Sequence, residues 1–226
     1  MLIEVEHVSH GYGDRRVLDD VSVALDQRRI GLIGPNGSGK STFARLLNAL
    51  VLPIRGCVRM DGLDTAREAK AIRRRVGFCF TDPDAQIVMP TVAEDVAFGL
   101  RRRGLHRTEV ATRVAAALQA NGLAEYRDHP AHLLSGGQKQ LLALASVLVT
   151  EPDLLVLDEP TTLLDLRNAR RIADVVAALP QQVVLVTHHL ELLTQFDRVL
   201  VIDDGRIIAD GNPQEATAHY VRQMTR

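Results

Sequence analysis

Two cysteines, Cys57 and Cys79, are all the sequence contains, with no second pair and no Cys-x-x-Cys. That excludes a disulfide framework and leads us to expect a reduced, cytoplasmic setting with both thiols as core filler. Long hydrophobic runs are missing too: Lys, Arg, Asp or Glu interrupts every candidate before it reaches the length a bilayer needs. Any membrane role must therefore pass through a partner. The opening MLIEVEHVSH alternates apolar and polar residues where a signal peptide would place a basic stretch before an apolar one. Nor is there an excess of either charge. A net charge of −1 leaves no electrostatic footprint for nucleic acid, and the clusters Arg73 to Arg75 and Arg101 to Arg103 read as solvated helical faces. No internal repeat or low-complexity segment is present.

The composition itself, 46% hydrophobic and 24% charged over 226 residues, is that of a globular protein able to bury a full core. The expected fold class is α/β: one domain over 1–226, with an α/β core from 1–82 and 151–226 and a helical subdomain from 83–150.

The most specific stretch lies near the start. A short apolar run, Ile30, Leu32 and Ile33, leads into Gly34-Pro35-Asn36-Gly37-Ser38-Gly39-Lys40-Ser41-Thr42, which fills every fixed position of G-x-x-x-x-G-K-[ST]. The pattern predicts a strand, a phosphate loop and a helix over Lys40 to Leu50. Glycines lacking Cβ let backbone N–H groups turn inward around an anion, and the helix aims its positive end at the same point. Lys40 then suits the β- and γ-phosphates of a nucleotide, and Ser41 a Mg²⁺ bridging them. A Gly-rich turn that fits by chance is the bland alternative. It does not explain the apolar strand before the motif or Phe43, Leu46, Leu47 and Leu50 at helical spacing after it.

Upstream, Leu2, Val5 and Val8, then VLDDVSVAL (17–25), alternate as strands of an antiparallel edge sheet. Between them His10-Gly-Tyr12-Gly13 predicts a tight turn. Tyr12 is either a face on which a purine stacks or a turn tyrosine packed on the sheet. Downstream we expect a strand over Gly56 to Met60, a helix over Ala66 to Arg75, a buried strand over Val76 to Phe80 and a loop over Thr81 to Gln86. Thr91-Val-Ala-Glu94 is a capping box opening a helix over Val92 to Arg103, and another helix covers Arg107 to Ala120.

Ser135-Gly136-Gly137-Gln138 begins a long helix with Ser135 as cap. Two glycines in a first turn weaken a helix, so their presence suggests that an anion approaches this backbone closely. Leu154 to Leu157 is an all-apolar strand buried on both faces, ending in Asp158-Glu159 at the edge where α/β folds bind ligands. Asp158 suits a Mg²⁺ shell and Glu159 suits polarising a water, the alternative being a helix cap after a strand. Asp165 caps a helix reaching Leu179. Val183 to Val186 is the next buried strand, and His188 beyond it either hydrogen-bonds a γ-phosphate or the attacking water, or caps a helix. His129, His132, His188 and His189 lack a clean metal-ligand spacing. A hairpin around Asp204-Gly205 and a helix capped by Asn212 complete the order.

Taken in order, these pieces resemble the nucleotide-binding subunit of ATP-binding cassette (ABC) transporters, over nearly the whole chain. By that resemblance Gly34 to Ser41 is Walker A, Leu134 to Gln138 the signature, Leu154 to Glu159 Walker B, Thr161 to Asp165 the D-loop, His188 the switch histidine and Tyr12 the adenine-stacking aromatic. The resemblance implies a P-loop NTPase core with ATP and Mg²⁺ as cofactors. It also implies a head-to-tail dimer, expected as a homodimer, in which Walker A of one cassette faces Ser135, Gly136, Gly137 and Gln138 of the other. Gly77 to Gln86 followed by Thr91 to Gly99 looks most like the ATPases of energy-coupling factor (ECF) vitamin and metal importers. Many of those carry Gln where this chain has Thr81, so either Thr81 contacts the metal or Gln86 reaches in. Glu94 and Asp95 resemble the acids that dock arginine-bearing helices of a transmembrane coupling subunit, which in turn works with a substrate-binding membrane subunit. The D-loop is unusual at Thr162 and Leu163. Chains of this length resemble the ATPase of biotin importers, placed peripherally on the cytoplasmic face of the membrane. The competing readings are a soluble ABC ATPase acting on nucleic acid or ribosomes, and a nucleotide-dependent scaffold without turnover.

Overall fold

A computed structural model describes residues 1–101, 103–162 and 164–225. The chain forms two compact units, one of 1–76, 153–159 and 180–226, the other of 77–152 and 160–179. The helical unit thus takes in 160–179 as well as the 83–150 stretch read from sequence.

In the first unit, β1 (Ile3–Tyr12) and β2 (Arg15–Leu25) precede β3 (Arg29–Ile33) and α1 (Lys40–Leu47). Next come β4 (Arg55–Met60), β5 (Leu63–Asp64) and α2 (Ala69–Arg75), and β6 (Val76–Cys79) carries the chain into the second unit. There α3 (Val92–Phe98), α4 (Arg107–Ala120) and α5 (Gly136–Leu148) follow. The chain returns through β7 (Leu154–Asp158), leaves for α6 (Leu166–Ala178), and ends with β8 (Gln182–Val186), β9 (Arg198–Asp203), β10 (Arg206–Gly211) and α7 (Pro213–Met224).

Two sheets build the first unit. One is antiparallel, in the order β2-β1-β4-β5. In the other, β9, β3, β8 and β7 run parallel, with β10 antiparallel on β9. Every residue of β3, β7 and β8 is buried, as continuous Val, Ile and Leu runs require of strands covered on both faces. The helix α1 packs on β7 and β8, and its Phe43, Leu46 and Leu47 are inaccessible to solvent. Such side chains each contribute about 1.5–3 kcal/mol of burial. This is the P-loop NTPase α/β fold, its parallel sheet carrying the loop between β3 and α1 at its edge.

Local chemistry sets where elements end. The helix after the phosphate loop stops at Leu47, short of Leu50, because Asn48 caps it and Ala49 turns into the left-handed region at φ 57°. The helix expected from Ala66 starts at Ala69. Asp64 accepts from the N–H of Ala66, and Glu68 accepts from that of Asp64, so a turn occupies the residues between. β1 runs on through Tyr12, moving the turn to Gly13-Asp14. Cys79 is buried, but Cys57 is not core filler. It pairs with Glu6 on the open side of the antiparallel sheet, is half-buried, and its thiol donates to the Glu6 carboxylate at 3.2 Å.

In the helical unit α5 is the axis, with Leu141, Leu142, Ala143, Leu144 and Ala145 buried in succession and α3, α4 and α6 packed around it. The capping boxes at Thr91–Glu94 and Ser135–Gln138 are both formed. The α3 helix ends at Gly99, well before Arg103; Arg102 of the basic cluster and Leu163 of the D-loop lie outside the described residues. Among the described residues no helix is long and apolar enough to cross a membrane.

Candidate functional site

The phosphate loop is shaped by close backbone approaches. A Cβ on Gly34 (φ 147°) would lie 1.9 Å from the carbonyl oxygen of Ile202, and one on Gly39 (φ 109°) 2.7 Å from that of Val17. Only glycine fits either position. Ser38 N–H bonds back to the Pro35 carbonyl at 3.2 Å, and the Gly205 N–H holds the Ser38 carbonyl at 3.0 Å, pinning the loop to the β9–β10 turn. Asn36 and Gly37 stand exposed at its crest, while Thr42 is buried in α1. Lys40 is buried, with Nζ donating to the carbonyls of Gly34 (2.8 Å) and Pro35 (2.9 Å). Burial lowers its pKa below the usual lysine value, against the pull of Glu159 and Asp158.

Asp158 ends β7 and is almost fully buried, its Oδ1 accepting from Ser41 Oγ at 2.8 Å. Arg45 lies 3.8 Å from its other oxygen. Burial raises the carboxyl pKa, and the opposing Ser41 hydrogen bond and Arg45 charge do not overcome it. The next residue leaves the strand abruptly. Glu159 has φ 54°, a left-handed conformation that costs a non-glycine residue about 1–3 kcal/mol, and its N–H bonds to the Val186 carbonyl at 3.0 Å. That turn brings Glu159 Oε2 to 2.7 Å from His188 Nδ1 at the end of β8. An ionised carboxylate only accepts, so His188 carries its proton on Nδ1. Tyr12 is 51% exposed, and its ring stands T-shaped against that of His10 at 5.0 Å between centroids.

These residues fit a nucleotide and its metal. Ser38 Oγ is buried without a hydrogen-bond partner among the described residues, and the paired oxygens of Ser41 and Asp158 are the hard ligands Mg²⁺ prefers.

In the helical unit, Gln138 N–H donates to Ser135 Oγ at 3.4 Å and Ser135 N–H to Gln138 Oε1 at 2.8 Å. The two glycines between them differ. Among the described residues a Cβ on Gly136 would meet nothing within 4 Å, whereas one on Gly137 would lie 2.4 Å from Cγ of Asn168. Gly136 therefore keeps its face open, and Gly137 is required by packing inside this chain. Asn168, the third residue of α6, is held by the cap of that helix: its N–H and amide reach Asp165 at 2.8 and 3.1 Å. Only its place three residues after a capping aspartate marked it in the sequence.

Thr81 is half-buried just beyond β6. Gln86 does not reach outward. Its oxygen accepts from Phe80 N–H at 3.1 Å and its amide donates to the Ala143 carbonyl at 3.0 Å, bracing the loop against α5. Asp95 likewise departs from the docking role read from sequence. It is buried, and its carboxylate accepts from the N–H groups of Val88 and Met89 and from Ser146 Oγ, at 2.9, 3.1 and 2.8 Å. Buried and bonded within its own unit, Asp95 presents no open carboxylate at the surface. Glu94 is exposed and linked to Thr91 through the capping box.

A family model for ABC transporters matches residues 18–162. The chain is 46% identical over 220 residues to the biotin transport ATP-binding protein BioM of Rhizobium etli, covering 97% of this chain and 98% of that one. It is 42% identical to the energy-coupling factor transporter ATP-binding protein EcfA1 of Caldanaerobacter subterraneus subsp. tengcongensis, covering 95% of this chain and 82% of that one. Among solved structures, cbiO1 of Clostridium perfringens, part of the ABC transporter complex cbiONQ, superposes with a TM-score of 0.85 at 32% identity, over 98% of this chain and 93% of that one. The phosphate loop, the Asp158-Glu159 strand end and the Ser135-capped helix thus occur in a chain that belongs to the ABC transporter family, as one of its ATP-binding ATPases.

Proposed function

We propose that this chain powers an importer of the energy-coupling factor type, with biotin the favoured solute, from the cytoplasmic face of the membrane. The observation that carries the catalytic part is the Glu159–His188 contact beside the Ser41–Asp158 pair. Tyr12 stacks the adenine. The loop from Gly34 to Thr42 cradles the phosphates through its N–H groups, with Lys40 neutralising the outer ones. Ser41 and Asp158 hold Mg²⁺, which when bound offsets charge on the phosphate oxygens. Glu159 accepts a proton from the attacking water, and His188 fixes the orientation of that carboxylate. Thr81 stands at the Q-loop position.

The signature residues Ser135, Gly136, Gly137 and Gln138 act on the nucleotide of a second, identical cassette. ATP closes the pair, and loss of phosphate opens it. The open face of Gly136 at the start of a thirteen-residue helix supports this reading. The import role and the membrane partners, a coupling subunit and a substrate-binding subunit, are supported by the relatives' descriptions and by the Gly77 to Gly99 run. Glu94 is retained as a docking acid and Asp95 is not.

Two measurements test this. Purified chain should release phosphate from ATP in the presence of Mg²⁺, and Glu159→Gln should abolish release while keeping ATP binding; unaltered release would remove Glu159 from its role. Affinity purification from membranes should recover a polytopic partner, and recovery of RNA or ribosomal protein in its place would refute the transport assignment.

A further inference from the structure

Tyr12 and Arg15 are direct cross-strand partners either side of the Gly13-Asp14 turn, so their side chains share one face of the β1–β2 hairpin. Both are exposed. From there Arg15 extends to the phosphate loop: its Nη2 lies 3.5 Å from where a Cβ of Gly37 would sit, the one atom within 4 Å of that point among the described residues outside the loop's own neighbouring positions. The neighbouring Arg16 is committed to Asp19 at 2.7 Å, whereas the Arg15 side chain makes no hydrogen bond or ion pair among the described residues.

We infer that Arg15 is a further nucleotide-binding residue, its guanidinium spanning from the base-stacking Tyr12 to the crest of the phosphate loop and pairing with the phosphate chain. The inference rests on the ATP-site reading above. A nucleotide with its base on Tyr12 and its phosphates on the loop passes along the line this side chain covers. A guanidinium presents a planar fork of donors suited to phosphate oxygens, and such charge-assisted contacts are among the stronger ones in water. Lys40 sits buried at the inner end of the loop, so Arg15 supplies positive charge at the outer, exposed end. An exposed contact of this kind weakens as salt rises.

The test is titration calorimetry with ATP and with ADP, in a Glu159→Gln background that prevents turnover. Arg15→Gln should weaken both nucleotides about tenfold at low salt, equivalent to about 1.4 kcal/mol. Arg15→Lys should recover most of the loss, and the gap between parent and Arg15→Gln should narrow as salt is raised. The melting temperature of the nucleotide-free variant should match the parent, since Arg15 is exposed and its side chain makes no hydrogen bond or ion pair among the described residues. Binding by Arg15→Gln within twofold of the parent would overturn the inference while leaving the ATP site intact. So would a loss in Arg15→Lys equal to that in Arg15→Gln. A parent that binds neither nucleotide would overturn both readings.

Discussion

His188 and Glu159, contributed by adjacent strand ends, are joined by a 2.7 Å contact between imidazole Nδ1 and carboxylate Oε2. The pairing depends on the left-handed turn at Glu159, which directs its side chain toward the end of β8. His188→Ala removes that hydrogen bond from the carboxylate. Phosphate release should fall about 10²-fold, within the range for a lost acid–base partner, while ATP binding measured by calorimetry changes only a few fold. Equal losses in binding and turnover would place His188 on the nucleotide and not on Glu159.

Gly137 and Asn168 form a second interlock. Gly137→Ala drives a methyl into the Asn168 amide, which should cost about 1–3 kcal/mol in chemical denaturation. The double variant Gly137→Ala/Asn168→Ala should recover much of that cost. Equal stability of single and double variants would show that the glycine is not there to accommodate Asn168.

Asp158 supplies a pH dependence. Burial raises its folded-state pKa above the ordinary 3.8, so the folded chain binds more protons than the unfolded one between those two values. The associated stability is fully present below pH 3.8 and is lost as pH rises through the folded pKa. At neutral pH the nucleotide-free fold therefore carries a buried carboxylate at a cost. Asp158→Asn keeps an acceptor for Ser41 and should melt higher than the parent at pH 7, by about 2–4 °C for each kcal/mol recovered. The difference should vanish below pH 3.8, and ATP hydrolysis should be lost. A lower melting temperature at neutral pH would show that the Arg45 attraction outweighs burial.

Asp95→Ala should destabilise the isolated chain by about 3 kcal/mol, because two backbone N–H groups and the Ser146 hydroxyl lose their acceptor. Glu94→Ala, at an exposed cap, should cost about 1 kcal/mol or less. Comparable small effects in urea titrations would return Asp95 to a surface role.

Much of this architecture was legible in the residues themselves. The all-apolar runs of β3, β7 and β8 announce buried parallel strands, and Ser135, Asp165 and Asn212 each cap the helix they were expected to cap. The phosphate loop was legible because its glycines answer to backbone geometry that no other residue satisfies. What was not legible depended on long-range neighbours. Whether an acid such as Asp95 faces a partner or its own backbone is decided by the loop that closes over it. Similarly, a second glycine beside a helix cap signals close approach, but not whether the approaching group is an anion or an asparagine from another helix. Arg15 carries no local signal, since its reach to Gly37 exists only once β2 and the loop are folded together.

The central claim is that two copies of this chain meet over ATP, and the molecular mass of the Glu159→Gln variant in solution tests it most directly. Light scattering coupled to size-exclusion chromatography should report a monomer without nucleotide and a dimer with ATP and Mg²⁺, reverting to monomer when ADP replaces ATP. A mass that stays monomeric with saturating ATP, alone and in the presence of the membrane partner, would contradict it.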